Sequence, residues 1–319
     1  MRSDHNTSVG SASFIETTAM QHANEPVMSV AVTSSPALGD SLLLMIVARN
    51  LQLSGKRVTV FGGHMHTLRE WFPGMDVRPA MSGDDTDTLL RQFDTVIQLH
   101  ADRPVPRLDQ RHPAAIVLEH LCRAPSPEAI AARLTHFCRE SLHMPHARMD
   151  NGLSVPAGLI HRKHALRVAI HPTASTADKC WLAPRFVRLA RQLKSNGFDP
   201  HFIVTDEERA DWEYVQNYGI GLPRLGSLDN VAAWLVECGW FIGNDSGIGH
   251  LASCLRVPTL SLFMRKGIAR TWRPGWGAGK VLVGGGWLPT GRLKERCWKY
   301  ALSVKQVLRA FEQLRREAA

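Results

Sequence analysis

The chain contains 319 residues, 44% of them hydrophobic and 21% charged, with a formal net charge of +9 at pH 7. A chain of this length exceeds one typical hydrophobic core, so it indicates two domains of a globular protein. It has no apolar run near the roughly 18 residues that span a bilayer, no zinc-finger spacing and no aromatic–basic repeat, which argues against an integral membrane protein and a nucleic-acid partner.

The basic excess lies in the last fifth of the sequence. From Arg256 onward there are 14 Lys and Arg residues but only three acidic ones. Such a surface suits an anionic membrane leaflet, an acidic glycolipid or a diphosphate, although solvated faces of ordinary helices give the same pattern. The six cysteines form no C-x-x-C pair, and the first residues lack the apolar region of a signal peptide. We therefore expect a cytoplasmic protein with free thiols.

The first half of the chain alternates between predicted strands and helices. Residues 1–25 are polar and lack periodicity, so we predict a disordered tail there. A domain over residues 26–150 follows, with strands at 27–33, 57–61 and 95–100, a first helix ending near 52, and helices near 86–93, 114–121 and 126–142. The opening strand, helix and strand form a β-α-β unit, which favours a parallel sheet.

The pattern restarts in the second half. A stretch containing Gly and Pro at residues 151–166 predicts a linker to a second domain over residues 167–299. Strands are predicted at 167–171, 202–204, before Gly243 and at 257–263, with helices after Lys179, near 207–218 and near 230–238, and a final amphipathic helix over 300–319. The predicted fold class is α/β, with two doubly wound Rossmann-like domains and a cleft between them.

The most informative stretch is residues 241–255, where an apolar strand breaks into a Gly/Asp/Ser loop and restarts as a helix. The backbone N–H groups of Ser246, Gly247 and Ile248 lack helical partners at this start, where the helix dipole is positive. A phosphate is the natural ligand for such groups. His250, in the first turn, either donates to that phosphate or serves as a capping or packing residue. The stretch therefore predicts an anion site at the carboxyl end of a strand.

Two further charged residues are expected at the same crevice. Asp40 opens the first helix, where its carboxylate either acts as a general base or caps the helix. Lys179 lies in a long polar loop between a buried strand and a helix. Its ammonium group either binds a diphosphate, with the hydroxyls of Thr173 and Ser175 as neutral donors, or faces solvent.

Acidic residues follow the strand after the Lys179 helix. Glu207 and Glu208 are candidates to accept hydrogen bonds from the hydroxyls of a ribose, as strand-end carboxylates do in dinucleotide sites. Acidic residues in the first turn of a helix are also ordinary partners of the helix dipole. We interpret Asp85-Thr-Asp87 as a helix start rather than a metal clamp, and His64-Met-His66 lacks further ligands at zinc spacing. No metal site is predicted. The absence of G-x-G-x-x-G and P-loop spacing argues against a dehydrogenase or a P-loop enzyme.

Four segments, taken in order, carry a resemblance to a known family: Ala37-Leu-Gly-Asp40-Ser-Leu-Leu, Phe93-Asp-Thr-Val-Ile-Gln-Leu-His100, the loop His171–Trp181, and Gly243-Asn-Asp-Ser-Gly-Ile-Gly-His-Leu-Ala252. They resemble the family 9 glycosyltransferases, the ADP-heptose:lipopolysaccharide heptosyltransferases. The resemblance runs from about residue 28 to the end. It implies a GT-B fold in which the C-terminal half binds a sugar nucleotide and the N-terminal half binds an acceptor. It also implies inversion at the anomeric carbon without a metal or other cofactor.

The resemblance also implies roles for individual residues. Asp40 matches the catalytic base proposed for the family, and Lys179 matches its diphosphate-binding lysine. Glu208, or Glu207 in a shifted register, matches the carboxylate near the nucleoside ribose. The phosphate-cradling loop of the family matches Asp245, Ser246, Gly247, Ile248 and His250.

The implied activity is transfer of a sugar, most simply heptose, from an ADP-sugar donor to the lipopolysaccharide core or to another glycan or protein acceptor. The implied partners are the nucleotide-sugar donor and an anionic glycolipid or glycan. The basic last fifth of the chain, rather than the resemblance, predicts a peripheral contact with the inner face of the cytoplasmic membrane. After Phe263 the chain has Met264-Arg-Lys-Gly where the family has Gly-Pro-Thr, so the sugar and acceptor stay open. A sugar-nucleotide epimerase or hydrolase of the same fold and a non-catalytic sugar-nucleotide-binding protein are the alternatives.

Overall fold

A computed structural model of the chain describes residues 27–83, 85–284 and 297–318, so the predicted tail at 1–25 lies outside the described residues. The first half follows the expected alternation of strands and helices. Its elements are β1 (Ser29–Thr33), α1 (Leu38–Leu53), β2 (Arg57–Phe61), α2 (Gly63–Thr67), a 3-10 turn (Arg69–Trp71), β3 (Asp76–Arg78), α3 (Thr86–Leu90), β4 (Thr95–Gln98), α4 (Leu108–Arg111), β5 (Ala115–Val117), α5 (Glu119–Arg123) and α6 (Ile130–Glu140).

The second half repeats the alternation. Its elements are β6 (His164–His171), a 3-10 turn (Ala177–Lys179), α7 (Ala183–Ser195), β7 (Asp199–Phe202), a 3-10 helix (Arg209–Tyr218), α8 (Leu228–Val236), β8 (Cys238–Asn244), α9 (Gly247–Cys254), β9 (Thr259–Phe263), α10 (Lys266–Trp272), β10 (Gly279–Val283) and α11 (Val304–Glu317).

Each half contains one five-stranded sheet whose strand pairs are parallel. The strand order is β3-β2-β1-β4-β5 in the first sheet and β10-β9-β8-β6-β7 in the second. In the first sheet, successive strands are added on one side of β1 and then, from β4, on its other side. In the second sheet the same change of side falls between β6 and β8. Ligands of doubly wound sheets bind at the carboxyl ends of strands beside such points. The predicted α/β fold with two Rossmann-like halves is therefore confirmed.

Several predicted elements differ from the structure. Residues 114–121 are not one helix, because Ala115–Val117 forms the edge strand β5, which pairs with β4, and α5 starts only at Glu119. An apolar run of this length is too short to show whether its hydrophobic residues repeat with the period of a helix or of a strand. The strand predicted at 202–204 lies at Asp199–Phe202, and the segment near 207–218 is a 3-10 helix. The edge strands β3 and β10, whose residues are half-buried or exposed, were not predicted.

The first long helix, α1, is buried along nearly its whole length. Its run Leu42–Ala48 has no exposed side chain, and it packs in one hydrophobic cluster with strands of the first sheet and with α8 and α9 of the second half. Each fully buried aliphatic side chain contributes about 1.5–3 kcal/mol relative to exposure. The cluster therefore holds the two halves together. Among the helices that the structure describes, none combines the length and apolar character that a bilayer crossing requires.

Two glycines let α1 and α9 meet at their first turns. A Cβ atom added to Gly247 would lie 2.7 Å from Cβ of Leu38, and one added to Gly39 would lie 3.0 Å from Cδ2 of His250. A Cβ atom at Gly247 would clash with α1, and one at Gly39 would press on the His250 ring. The two helix starts that follow β1 and β8 are therefore in direct contact.

Hydrogen bonds also cross between the halves. Asn151 Nδ2 donates to the carbonyl oxygen of Leu42 in α1 at 3.2 Å and to Sγ of Cys254 in α9 at 3.3 Å. The indole N–H of Trp71 donates to Oδ1 of Asp229 in α8 at 2.6 Å. Asn151 therefore links the second turn of α1 to the last residue of α9, and Trp71 links the first half to α8.

Candidate functional site

A cavity of about 900 Å³ opens between the two halves at the carboxyl edges of both sheets. All eleven residues singled out from the sequence line it: Asp40, Thr173, Ser175, Lys179, Glu207, Glu208, Asp245, Ser246, Gly247, Ile248 and His250. The two sheets bring them together because each residue follows the carboxyl end of a central or neighbouring strand. The volume is within the usual range for a small-molecule site.

Asp40 lies in the first turn of α1 without capping it. The N-cap position belongs to Ala37, and no side chain caps this helix. The carboxylate instead accepts hydrogen bonds from His100 Nε2 at 2.9 Å and from the Ser35 hydroxyl at 3.2 Å. The capping alternative for Asp40 is therefore wrong. Its side chain is held at the cavity wall by residues that follow β1 and β4.

Lys179 approaches the start of α9. Its Nζ lies 3.3 Å from Oδ2 of Asp245, and the Lys179 side chain is 34% exposed while that of Asp245 is 13% exposed. The ammonium group is thus anchored to the loop yet open to the cavity. An anion that enters here meets a fixed positive charge.

The loop before α9 forms a cradle of backbone groups. Ser246 is the N-cap of α9, and its hydroxyl oxygen accepts from the Gly249 amide at 3.4 Å. The amides of Gly247 and Ile248, in the first turn, have no preceding helical carbonyl to bind. These residues line the cavity, so the positive end of α9 meets it.

Asn244 is a structural residue of the site that the sequence analysis did not single out as a site residue. It is fully buried at the end of β8. Its Nδ2 donates to the carbonyl oxygen of Pro172 at 2.7 Å, and its Oδ1 accepts from the Trp181 amide at 3.0 Å. Both ends of the loop that carries Lys179 are therefore fastened to the strand that leads into α9.

Glu208 is held from two sides on one oxygen. Its Oε2 accepts from the Thr173 hydroxyl at 3.2 Å and from the Thr205 amide at 3.1 Å. The Thr173 proton is thus donated to Glu208 rather than being free for a diphosphate. Glu207 is exposed, and hydrogen bonds from its own backbone amide and from the Thr205 hydroxyl lower its pKa. Both glutamates line the cavity, but of the two register alternatives Glu208 is the half-buried one and the one hydrogen-bonded to Thr173.

Two histidines of the cavity wall are buried and their pKa values are lowered by burial. His250 is 5% exposed, and its Nδ1 has no hydrogen-bond partner among the described residues. His171 is 7% exposed and its Nδ1 lies 2.9 Å from the carbonyl oxygen of Ile203. Burial of the His250 ring suits a packing role, and its unpartnered Nδ1 at the cavity wall suits a hydrogen bond to a ligand, so both alternatives stay predictions.

Other lining residues were missed by the sequence analysis as site residues. His100 follows β4 at the same sheet edge as Asp40, and Arg103 lies three residues later. The position of His100 directly after a predicted strand could have identified it from the sequence. His64 also lines the cavity, with Nε2 2.9 Å from the carbonyl oxygen of Pro36. Apolar side chains also line the cavity: Ile203, Val204, Leu225, Leu228 and Val231. The lining therefore combines charged and apolar side chains.

The described residues contain no group of three or more His, Cys, Asp or Glu side chains arranged to hold a metal ion. Asp87 of the Asp-Thr-Asp segment instead pairs with Arg111 at 2.6 Å. Asp85 occupies the N-cap position of α3 but forms no capping hydrogen bond. The predicted helix start is thus found at this segment, without the side-chain cap.

Comparison with known proteins supports the same family. The family model described as glycosyltransferase family 9 (heptosyltransferase) matches residues 120–290. No curated protein sequence matches the chain. Among solved structures, the family 9 glycosyl transferase from Veillonella parvula has a TM-score of 0.68 at 18% identity, covering 92% of this chain and 99% of that one.

Two structures from E. coli are also similar. ADP-heptose lps heptosyltransferase II has a TM-score of 0.66 at 16% identity, covering 92% of this chain and 100% of that one. Heptosyltransferase WaaC, solved with ADP, has a TM-score of 0.65 at 14% identity, covering 90% and 100%. These structures share the fold of this chain. Because the family model covers more than half of the sequence, the chain belongs to glycosyltransferase family 9 and is a glycosyltransferase.

Proposed function

We propose that the protein is an inverting glycosyltransferase that moves heptose from an ADP-sugar donor to an acceptor hydroxyl. One observation carries this proposal: Asp40 of the first half and the Lys179–Asp245 pair of the second half line a single cavity. His250 lies within electrostatic range of all three charges, which places them in one region. A base and an anion-binding pocket at one site are what sugar transfer from a diphosphate requires.

The donor is proposed to lie along the second half. The Lys179 ammonium group and the first amides of α9 hold the diphosphate, Glu208 accepts from the ribose hydroxyls, and the apolar side chains of the lining cover the base. A nucleoside diphosphate suits a lining that combines charged groups with apolar side chains. That WaaC was solved with ADP supports the choice of an adenine nucleotide.

The proposed reaction is a single displacement. Asp40 takes the proton from the acceptor hydroxyl as its oxygen attacks the anomeric carbon, and the bond from that carbon to the diphosphate oxygen breaks. The electron pair leaves with the ADP, whose growing negative charge is stabilised by Lys179 and the α9 amides. Attack opposite to the leaving group inverts the anomeric carbon. These groups stabilise the leaving group without a metal, although a related structure, TibC from E. coli, is described as iron-containing.

The acceptor is proposed to be an anionic glycolipid such as the lipopolysaccharide core, reached at the inner face of the cytoplasmic membrane. α11 buries its apolar face in the second half and exposes Lys305, Arg309 and Arg316. Exposed basic residues attract anionic lipids by about 1 kcal/mol each near the surface. Co-sedimentation with phosphatidylglycerol vesicles should fall with salt and on reversing these three charges. Vesicle binding that changes neither with salt nor with reversal of the three charges would contradict the proposed membrane contact.

The proposed activity is tested by incubating the protein with ADP-heptose and heptose-free lipopolysaccharide, alongside a panel of other nucleotide sugars and glycan acceptors, with and without EDTA. We expect ADP release that requires an acceptor, survives EDTA and is lost in Asp40→Asn. Wild-type turnover by Asp40→Asn would show that Asp40 is not the base. Release of free sugar or an epimer without any acceptor would favour the hydrolase or epimerase, and ADP binding without turnover of any donor would favour a binding protein.

A further inference from the structure

We propose that His100 is a positioning residue that orients the Asp40 carboxylate for proton transfer. His100 follows β4 and Asp40 follows β1, and parallel pairing of these strands brings residues 60 positions apart into contact. The proposal rests on the proposed function, in which Asp40 is the base. It adds a residue that touches the base rather than the substrate.

The hydrogen bonds leave one carboxylate oxygen free. His100 Nε2 lies 2.9 Å from Oδ2 of Asp40, and an ionised carboxylate only accepts, so Nε2 carries the proton. The Ser35 hydroxyl donates to the same Oδ2 at 3.2 Å. Among the described residues nothing donates to Oδ1. That oxygen is therefore the one presented to an acceptor hydroxyl.

The contact is enclosed enough to fix the carboxylate. The His100 side chain is 9% exposed and that of Asp40 is 17% exposed, so little water is available to replace the imidazole. Without His100, Ser35 is the one donor to Asp40 that remains in the described part of the chain, and its oxygen also accepts from the Ala37 amide at 3.1 Å. The carboxylate is then free to rotate and to exchange its two oxygens. General-base catalysis depends on such alignment within hydrogen-bond distance.

Substitutions at position 100 separate orientation from binding. Kinetics are measured with the donor and acceptor pair that supports transfer in the assay above. His100→Ala should lower kcat by about 10- to 100-fold while the KM for the donor changes less than about twofold, because donor-binding groups lie on the second half. His100→Gln, whose amide N–H replaces Nε2–H, should restore kcat to within about fivefold of wild type. His136→Ala, at a half-exposed histidine 3.2 Å from Glu128, is the matched control and should leave kcat unchanged.

A spectroscopic measurement needs no substrate. Nitrogen-15 NMR of the histidine rings, with His100 assigned from the His100→Gln spectrum, should show the proton on Nε2 in the wild-type protein, with a change in that signal in Asp40→Asn. A proton on Nδ1, or a signal insensitive to Asp40→Asn, would overturn the proposal even if His100→Ala fails to fold. So would wild-type kcat in His100→Ala, or a loss in His100→Gln equal to that in His100→Ala. If Asp40→Asn keeps full turnover, the proposed function fails instead.

Discussion

Several charged side chains around the cavity are fixed by partners within the protein. Lys179 is paired with Asp245, and Glu208 accepts from Thr173 on one oxygen only. A group held in this way loses little conformational freedom when a ligand binds. Substituting one member of such a pair therefore also changes what its partner does.

Replacing Lys179 with methionine should weaken ADP binding. The substitution Lys179→Met removes a charge-assisted contact and leaves the Asp245 carboxylate facing the diphosphate. We expect a loss of about 1.5–3 kcal/mol, which is roughly 10- to 150-fold in Kd, by titration calorimetry. Lys163→Met is the control, since Lys163 pairs with Glu237 near the opposite, amino-terminal end of β6. ADP affinity equal to wild type in Lys179→Met would contradict the assigned contact.

Thr173 is predicted to act through Glu208. In Thr173→Val the hydroxyl that holds Oε2 is lost, so ADP affinity should fall by about 0.5–1.5 kcal/mol, whereas Thr173→Ser should stay near wild type. Calorimetry with inorganic pyrophosphate distinguishes the two roles of this residue, because pyrophosphate has no ribose. Thr173→Val should bind pyrophosphate as the wild type does. An equal loss for both ligands would show that the hydroxyl contacts the diphosphate directly.

At the level of elements, the contact between the starts of α1 and α9 depends on Gly247. In Gly247→Ala the new methyl group would lie 2.7 Å from Cβ of Leu38, and neither helix can move without disturbing the shared core. We expect urea denaturation to report a loss of about 1–3 kcal/mol in the free energy of unfolding. Gly267→Ala in α10 is the matched control.

The control tests whether the loss depends on position. A Cβ at Gly267 meets nothing within 4 Å, so alanine there should be neutral or stabilising by up to about 1 kcal/mol. If both variants unfold at the same urea concentration as the wild type, the close approach of the two helices does not limit stability.

Elements were predictable from sequence where the pattern was long or strongly β-branched. β2 was predicted at the bounds found, Arg57–Phe61, and α1 within about a residue of its end. Short edge strands such as β5 were not, because three half-buried residues carry no period. The predicted site residues follow strands and could be found from local sequence. The His100 contact with Asp40 was missed because it depends on which strands are neighbours, which local sequence does not contain.

At the scale of the whole molecule, the buried histidines predict how stability depends on pH. Burial lowers the pKa of His171 and of His250 below the ordinary value of 6.5. Below that value the unfolded chain binds protons that the folded protein does not, so the free energy of unfolding falls as pH decreases toward the folded pKa values. Above pH 6.5 both histidines are neutral in the folded and the unfolded chain, so they no longer lower the free energy of unfolding. Each histidine accounts for at most about 1.4 kcal/mol per pH unit.

Urea denaturation between about pH 7.5 and 5.5 measures this dependence. His171→Gln removes one titrating group from the interior, so its stability should fall less steeply with decreasing pH than that of the wild type. His136→Gln, at a half-exposed histidine, should keep the wild-type slope. Identical slopes in all three proteins would mean that His171 does not contribute to acid sensitivity.

The meeting of α1 and α9 at their first turns has a further effect. Both helices point their amino-terminal ends toward one space, so the backbone alone gives that space a positive electrostatic potential, whatever the ionisation of nearby side chains. We therefore expect small oxyanions to compete with nucleotides there. The apparent Kd for ADP should be higher in phosphate or sulfate buffer than in chloride at equal ionic strength, and buffer composition becomes a determinant of measured affinity.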